Sequence, residues 1–252
     1  MTEKHISVLG GESMTLTLAD FRQRIEYSIC QQFASRDDIR AFCERVLAVG
    51  VGVACFNPVN VAQAVELLGG RGIEISSNVG FPFGSHHTDV KRLETELSVR
   101  DGATQIDMVI NVGALRSAQD DIVREDIRTV VAAAGERPVK AIIETWILNR
   151  EELERACHLA EEAGAALVKT TTGVRSQYLD TMRDNPRGAV VEEIRHMRSV
   201  LGQRVRIKAS GGIYTLDHAF ELIRAGADQL GMSRGEEIIQ EFRSRFGDRV
   251  EL

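Results

Sequence analysis

Two lysines lie inside apolar, strand-like segments of this 252-residue chain. Lys169 follows Ala-Leu-Val and precedes Thr-Thr-Thr-Gly, whereas Lys208 lies in the segment Arg-Ile-Lys-Ala-Ser. Burial of a lysine is unfavourable unless the amine is neutral or is paired with a carboxylate. A neutral amine can attack a carbonyl carbon and form a Schiff base. The two lysines therefore predict either structural ion pairs or a nucleophilic site.

Three further charged residues lie in two other apolar segments. Asp107 is in Gln-Ile-Asp-Met-Val-Ile-Asn, and Lys140 and Glu144 are in Val-Lys-Ala-Ile-Ile-Glu-Thr. Asp107 could pair with a lysine, or it could move protons as a carbinolamine forms and collapses. We expect Lys140 and Glu144 to complete an ion-pair network. If Lys169 and Lys208 lie on neighbouring strands, repulsion and burial should lower one lysine pKa, which favours catalysis.

A second group of residues suggests an anion site. Three apolar segments are each followed by glycine, with threonine or serine beside it. Glycine lets backbone N–H groups approach an anion, and a hydroxyl or guanidinium can donate further hydrogen bonds. One such segment would indicate only a tight turn, but three of them favour a phosphate site. The predicted ligands are Thr172, Gly173, Gly211, Gly212, Gly231, Ser233 and Arg234.

Eight short apolar runs could carry these residues as strands. Most of them are continuously apolar rather than alternating, which is typical of parallel strands that are buried on both faces. The runs are Glu26–Cys30, Val51–Phe56, Glu74–Val79, Gln105–Asn111, Val139–Thr145, Ala166–Thr171, Arg204–Ser210 and Gln229–Ser233. Lys169 and Lys208 thus fall on the sixth and seventh predicted strands.

Helical patterns separate the predicted strands. Asn149 and Glu152 form a capping-box pattern that opens one helix. Another helix carries the apolar residues Val90, Leu93 and Leu97 on one face, and Ser85 could cap it.

Three Gly-Ala dipeptides mark helix ends, and they begin at residues 102, 164 and 226, a spacing of 62 residues. This spacing corresponds to two units of about 31 residues, and eight such units would span the chain. The pattern predicts an α/β fold, a single (β/α)8 TIM barrel over residues 1–252, with residues 1–20 as an N-terminal extension. Catalytic residues of this fold lie where the strands end.

The composition excludes several other classes of protein. A formal net charge of −6 is unlike that of a nucleic-acid-binding protein. No run of about 18 apolar residues predicts a membrane span, and the first residues do not resemble a signal peptide. The four cysteines are scattered, with no Cys-x-x-Cys pair, so we expect reduced thiols and a cytoplasmic location.

These residues occur in a pattern that resembles the deoxyribose-phosphate aldolase family. The matching segments are residues 54–61, 78–117, 139–148, 164–173, 207–215 and 226–233. The resemblance implies that Lys169 is the Schiff-base lysine, Lys208 the lysine that lowers its pKa, and Asp107 the proton-handling acid. It also implies reversible cleavage of 2-deoxyribose 5-phosphate to acetaldehyde and glyceraldehyde 3-phosphate, with no metal or organic cofactor. Members of this family are often dimers, so a homodimer is possible.

The sequence departs from the family pattern in several places. Glu26-Tyr27-Ser28 replaces the usual Asp-His-Thr motif of the first strand, and Tyr214 replaces an arginine. Arg234 replaces a small residue of the phosphate loop, and residues 174–187 replace a small, glycine-rich loop. The C-terminus lacks the tyrosine that some members use in proton transfer. The groups for imine formation are therefore retained, and those for the far end of the substrate have changed.

Three other functions compete with this interpretation. A related Schiff-base aldolase or lyase could act on another deoxy sugar, sugar phosphate or sugar acid, whose carboxylate could meet Arg175, Arg187 or Arg234. A non-catalytic barrel that binds a metabolite or a protein would be expected to have lost a catalytic lysine. A metal-dependent aldolase would need histidines at strand ends, and none of the six histidines falls at such a position.

Overall fold

The computed structural model describes residues 14–174 and 188–252. Its strands are β1 (Thr15–Thr17), β2 (Ile25–Ile29), β3 (Val53–Phe56), β4 (Glu74–Val79), β5 (Gln105–Val109), β6 (Val139–Ile142), β7 (Leu167–Lys169), β8 (Arg206–Ser210), β9 (Gln229–Met232) and β10 (Arg249–Glu251). Strands β2 to β9 are parallel and close into a barrel in which β2 pairs with both β3 and β9. The eight predicted strands and the barrel are confirmed, with the strand ends shifted by a few residues.

Helices connect the barrel strands. They are α1 (Leu18–Arg24), α2 (Arg36–Val49), α3 (Val61–Leu68), α4 (Thr88–Arg100), α5 (Val112–Arg116), α6 (Asp120–Ala134), α7 (Arg150–Glu162), α8 (Val191–Val200), α9 (Leu216–Arg224) and α10 (Gly235–Phe246). Short 3-10 helices cover Pro58–Asn60 and Thr145–Ile147. None of the helices in the described part of the chain is long and apolar enough to cross a membrane.

The predicted Gly-Ala helix ends share one backbone geometry. Gly102, Gly164 and Gly226 have φ of 102°, 89° and 109°, a region that disfavours side chains. In each case the alanine N–H donates to the carbonyl five residues earlier, as Ala165 does to Ala160 at 3.0 Å. This arrangement satisfies carbonyl groups that the helix end would otherwise leave unpaired. The repeat therefore ends the helix and turns the chain into the next strand.

Helix α7 begins as the sequence predicts. The Asn149 side chain accepts from the Glu152 N–H at 2.9 Å, and the Glu152 carboxylate accepts from the Asn149 N–H at 2.8 Å. Two N–H groups that no helical carbonyl can reach are thereby satisfied.

Helix α4 is confirmed, with Val90, Leu93 and Leu97 on one face, but the predicted cap is wrong. Its N-cap residue is His87, with no side-chain cap, and Ser85 lies outside the helix. The apolar residues Val90, Leu93 and Leu97 are 49%, 52% and 39% exposed. The face that packs inward carries Lys91, Thr95 and Ser98 instead. This polar face can be buried because its groups find partners in neighbouring elements.

Lys91 supplies the main contacts of that face. Its ammonium donates to Asp126 of α6 at 2.5 Å and to the carbonyl of Val109 at 2.9 Å. The ion pair joins α4 to α6 and to the end of β5. Apolar periodicity shows which residues of α4 share a face, but only the buried pair shows which face packs inward.

The two outer strands were not predicted. Strands β1 and β10 pair antiparallel, with Leu16 opposite Val250. Leu16 is buried there, and Phe21 of α1 stacks on Phe242 of α10 with ring centroids 5.2 Å apart. Residues 15–17 thus join the C-terminal part of the chain next to the barrel.

Candidate active site

The charged residues of the barrel strands meet at its centre. Lys169 on β7 is the register partner of Lys208 on β8, and Asp107 on β5 is the partner of Lys140 on β6. Glu26 on β2 completes the group. All five residues are at least 95% buried, so each charge depends on its neighbours for compensation. The structure therefore brings together the three predicted catalytic residues, Lys169, Lys208 and Asp107.

Asp107 is the common partner of the three lysines. Its Oδ2 accepts from Lys169 at 2.7 Å and from Lys208 at 2.6 Å, whereas its Oδ1 accepts from Lys140 at 2.7 Å. Ser76 also donates to Oδ1, at 2.9 Å. Lys169 and Lys208 are thus joined through one carboxylate oxygen, which gives a proton a direct route between them.

Glu26 binds two of the same lysines. Its Oε2 accepts from Lys140 at 2.6 Å, and its Oε1 accepts from Lys208. Sequence reasoning recorded Glu26 only as a departure from the family motif. The available signal was a carboxylate inside the apolar strand Ile-Glu-Tyr-Ser-Ile, which requires a buried cationic partner.

The pKa values of the Asp107 and Glu26 carboxyl groups are lowered. Burial acts to raise the pKa of Asp107, but the charges of Lys140, Lys169 and Lys208 outweigh it and hold that pKa well below its usual range. The same balance of burial against the lysines lowers the pKa of Glu26. Both groups are therefore ionised, as the neighbouring lysines favour.

The pKa values of Lys208 and Lys169 shift in opposite directions. Burial lowers the pKa of Lys208, and repulsion from Lys169 and Lys140 adds to this effect. Burial also acts on Lys169, but the attraction of Asp107 and Glu26 is stronger and raises its pKa. One lysine pKa falls, as predicted, but it is the pKa of Lys208.

The predicted ion-pair network includes Lys140 but not Glu144. Lys140 binds Glu26 and Asp107, as the network requires. The Glu144 carboxylate accepts from the N–H of Thr172 and from the indole N–H of Trp146. The expectation of an ion pair at Glu144 is therefore wrong, because this carboxylate faces N–H donors instead of an ammonium.

A cavity of about 740 Å³ opens above the lysines at the end of the barrel where the strands finish. Lys169, Lys208 and Glu26 line it, whereas Asp107 and Lys140 lie beneath its floor. Six of the seven predicted anion ligands also line this cavity: Thr172, Gly173, Gly211, Gly212, Gly231 and Ser233. Arg234 does not line it; its side chain is half exposed, and its Nε lies 3.4 Å from Glu237.

Gly231 leaves space for the side chain of Lys208. A Cβ atom at this position would lie 2.9 Å from Cε of Lys208 and 2.8 Å from Cβ of Ser210. Such contacts are too short, so any side chain here would displace Lys208. This requirement explains the glycine whether or not its N–H meets an anion.

Threonine hydroxyls shape the segment after Lys169. The Thr170 hydroxyl lies 3.1 Å from the Ser210 carbonyl and 3.0 Å from the Ser210 N–H. The hydroxyl of Thr171 also donates to the Ser210 carbonyl, at 3.0 Å. Side-chain groups replace the backbone ladder here. Strand β7 consequently ends at Lys169, and the chain turns over the cavity at Thr172 and Gly173.

Two thiols and two carboxylates also lie near the lysines. The ligand atoms of Glu26, Cys55 and Asp107 lie within 4.8 Å of one another, which is a spacing suited to a metal ion. The lysine ammonium groups, however, already bind the carboxylate oxygens that a cation would use. This set of donors fits a protonated amine better than it fits a metal ion. Cys30 is hydrogen-bonded at 3.1 Å by Asn78, which also contacts Cys55.

The fold and the buried lysine group define a class of protein, the (β/α)8-barrel aldolases. A family model described as DeoC/LacD family aldolase matches residues 18–241. The chain therefore belongs to the DeoC/LacD aldolase family, and it is an aldehyde-lyase that acts on a carbon–carbon bond.

Relatives of known sequence support this assignment. The chain is 42% identical over 218 residues to the deoxyribose-phosphate aldolase of Aciduliprofundum boonei, covering 86% of this chain and 94% of that protein. It is 38% identical over 225 residues to the deoxyribose-phosphate aldolase of Bacillus subtilis, covering 89% and 96%.

Solved structures agree with the sequence comparison. A putative deoxyribose-phosphate aldolase from Coccidioides immitis superimposes with a TM-score of 0.84 at 33% identity, covering 91% of this chain and 88% of that one. A tetrameric deoxyribose phosphate aldolase from Aeropyrum pernix gives a TM-score of 0.77 at 26% identity, covering 90% and 91%.

Proposed function

We propose that the chain cleaves 2-deoxyribose 5-phosphate reversibly to acetaldehyde and glyceraldehyde 3-phosphate, with Lys169 forming the Schiff base. The observation that carries this proposal is the position of Lys169. Its side chain ends at the cavity, with Nζ 2.7 Å from Oδ2 of the buried Asp107. The printed names of the relatives support the substrate, since those proteins are called deoxyribose-phosphate aldolases.

The first step requires Lys169 to lose a proton. Asp107 Oδ2 contacts Nζ of both lysines. A proton can therefore pass from the Lys169 ammonium through this carboxylate to Lys208 when Lys208 is a neutral amine, the form that its lowered pKa favours. The neutral amine of Lys169 then attacks the aldehyde carbon C1 and forms a carbinolamine. Proton return to the carbinolamine hydroxyl releases water and leaves an iminium ion.

The iminium ion then accepts the electrons of the bond that breaks. The C3 hydroxyl loses its proton, the C2–C3 bond breaks, and its electron pair forms an enamine on Lys169. Glyceraldehyde 3-phosphate leaves, the enamine is protonated at C2, and water hydrolyses the resulting imine to acetaldehyde. We propose Asp107, through Lys208 and water, as the group that handles these protons.

The phosphate is proposed to bind at the glycine-rich segments. Gly211 and Gly212 have φ of 89° and 65°. These positive values do not occur in regular strands, so the backbone turns away from the strand direction here. Helix α10 begins just after Ser233 and Arg234, with no side-chain cap. Backbone N–H groups at such a helix start can bind an anion. Arg234 remains a predicted ligand, and Arg175 and Arg187 lie outside the described residues.

The outer part of the cavity favours a second candidate, a related Schiff-base aldolase with a different acceptor. Phe33, Val59, Val174 and Tyr214 line the mouth and are exposed. Among the described lining residues, Lys169 and Lys208 are the only cations, and carboxylates already bind both of them. An acceptor aldehyde without a phosphate would fit this mouth.

The choice between these candidates can be measured with two substrates. If the glycine-rich segments bind phosphate, kcat/KM for 2-deoxyribose 5-phosphate should exceed that for unphosphorylated 2-deoxyribose by a factor of about 100, as expected for several charge-assisted hydrogen bonds. Equal efficiencies would reject the phosphate site.

An Arg234→Gln variant, assayed on both sugars, tests whether the Arg234 guanidinium contributes to phosphate binding. If it contacts the phosphate, the substitution should lower only the rate on the phosphorylated sugar.

We also propose that the protein is a single-domain cytoplasmic enzyme that forms homodimers. The single closed barrel of strands β2 to β9 supports the first point, and the free cysteines support the second. The exposed face of α4 formed by Val90, Leu93 and Leu97 supports the third. Two antiparallel copies of α4 would cover these residues and would bring Asp89 of one copy near Arg100 of the other, an arrangement that a twofold axis permits.

A charge placed within this face should prevent the association. Leu93→Glu would bury a carboxylate between two apolar surfaces, so we expect light scattering to give a dimer mass for the wild type and a monomer mass for the variant. Gln240→Glu on α10 adds the same charge outside this face and should remain dimeric. A wild-type monomer, or a dimeric Leu93→Glu variant, would rule out this interface.

A further inference from the structure

Glu144 occupies an unusual backbone position at the end of β6. Its φ of 57° and ψ of 58° lie in the left-handed region, which residues with a side chain rarely adopt. The residues on either side are held to the segment that carries Lys169. The Ile143 N–H donates to the Lys169 carbonyl at 3.0 Å, and the Thr145 N–H donates to the Thr170 carbonyl, also at 3.0 Å. Glu144 therefore projects from a backbone that is fixed on both sides.

The side chain of Glu144 extends over the same segment. One carboxylate oxygen accepts from the backbone N–H of Thr172, and the other accepts from the indole N–H of Trp146. The side chain is buried, and it lies beneath the cavity wall that Thr172 and Gly173 form. The carboxylate thus connects the 3-10 helix after β6 to the turn after β7.

Opposing effects set the pKa of the Glu144 carboxyl group. Burial raises the pKa of Glu144 to about 7, although the hydrogen bonds from Thr172 and Trp146 and the charge of Lys169 oppose this shift. Lys169 on β7 is the charged group among the described residues that acts on it. Asp107, on the next strand beyond β6, is already bound by three lysines.

We propose that Glu144 is a positioning residue whose carboxylate holds the Thr172–Gly173 turn in the form that receives the far end of the substrate. This inference rests on the proposed function, because it assigns the near end of the substrate to Lys169. A carboxylate offers acceptors to both N–H donors, whereas a protonated carboxyl group offers one good acceptor and one donor. Protonation therefore releases either Thr172 or Trp146, and the turn loosens while Lys169 remains in place.

The consequence is a pH dependence of substrate binding. As the pH falls through about 7, Glu144 gains a proton, so the KM of the wild type for 2-deoxyribose 5-phosphate should rise. We expect a rise of about tenfold, which corresponds to the loss of one hydrogen bond to a charged acceptor. Capture of acetaldehyde on Lys169 should show no matching step, since a two-carbon substrate does not reach Thr172.

Three variants test the assignment. In Glu144→Gln, KM should be high and independent of pH between about 6 and 8, because the side chain no longer titrates. In Trp146→Phe, the step in KM should move to higher pH, since the lost indole N–H no longer lowers the pKa of Glu144. Glu161→Gln is the matched control, because this carboxylate accepts a backbone N–H from Gly202 at the opposite end of the barrel. Its KM profile should equal that of the wild type.

The outcomes separate the positioning role from the proposed function. A step in KM that persists unchanged in Glu144→Gln, or a wild-type KM at pH 8 in that variant, would overturn the positioning role. A Trp146→Phe profile shifted to lower pH would also contradict it. Borohydride capture of acetaldehyde by every variant would confirm folded proteins with a working lysine. Its absence in the wild type would instead refute the proposed Schiff base.

Discussion

Replacing Lys169 with methionine should lower kcat/KM for cleavage by a factor on the order of 10⁵, the scale of losing a catalytic nucleophile. Methionine has nearly the length of lysine but no amine, so it can fill the space beside Asp107 without forming an imine. Borohydride reduction in the presence of acetaldehyde should leave an ethyl group on Lys169 of the wild type. Peptide mass spectrometry should find no such adduct in the Lys169→Met variant.

Lys208→Met is the matched control for this experiment. Lys208 is the register partner of Lys169 on the neighbouring strand and contacts the same carboxylate oxygen, so both substitutions remove one amine from the same group. We expect Lys208→Met to form the adduct slowly and still on Lys169, because it lacks the proton acceptor but retains the nucleophile. An adduct on Lys208, or a natively folded wild type with no adduct on Lys169, would refute the assignment.

Asp107→Asn should reduce turnover by about 10²- to 10⁴-fold, the range typical of a lost acid–base group. Removal of its charge leaves three lysines facing Glu26 alone, and Asp107 is the strongest attraction that raises the pKa of Lys169. That pKa should therefore fall. More of the amine is then neutral at a given pH, so the pH dependence of borohydride capture should shift to lower pH while turnover remains slow. Capture rates between about pH 6 and 9, compared with kcat, provide the measurement.

The same substitution should destabilise the fold by roughly 3–5 kcal/mol, since it leaves buried ammonium groups without their partner. In the wild type the pKa of Asp107 is depressed, so its contribution to stability is present at neutral pH and is lost as the pH falls through the folded-state value. Urea unfolding at pH 7 measures this difference.

Asp126→Asn separates stability from catalysis. It breaks the buried pair with Lys91 between α4 and α6, where neither residue belongs to the lysine group at the barrel centre. We expect a comparable loss of stability with unchanged kcat. If both variants lost turnover equally, the effect of Asp107→Asn would reflect folding, and its proton-handling role would be refuted.

The sequence by itself determined the barrel and much of its chemistry. Continuous apolar runs, Gly-Ala helix ends and a regular repeat predicted eight parallel strands, because each of these signals depends on neighbouring residues in the chain. Charged residues inside apolar strands identified Lys169, Lys208 and Asp107, since burial of a charge requires partners or a function. The glycine-rich segments after the last three barrel strands were predicted as an anion site for the same local reasons, and every predicted ligand except Arg234 lines the cavity.

Only the tertiary structure decided how these charges are shared. Glu26 and Asp107 come from strands far apart in the chain, and closure of the barrel places both against Lys208. The pKa order of the two lysines follows from those distances, so the sequence could not assign it. Likewise, the outward face of α4 and the contact of Glu144 with Thr172 depend on partners from other elements. Local pattern specifies which residues are unusual, whereas the packed barrel determines which charge each of them meets.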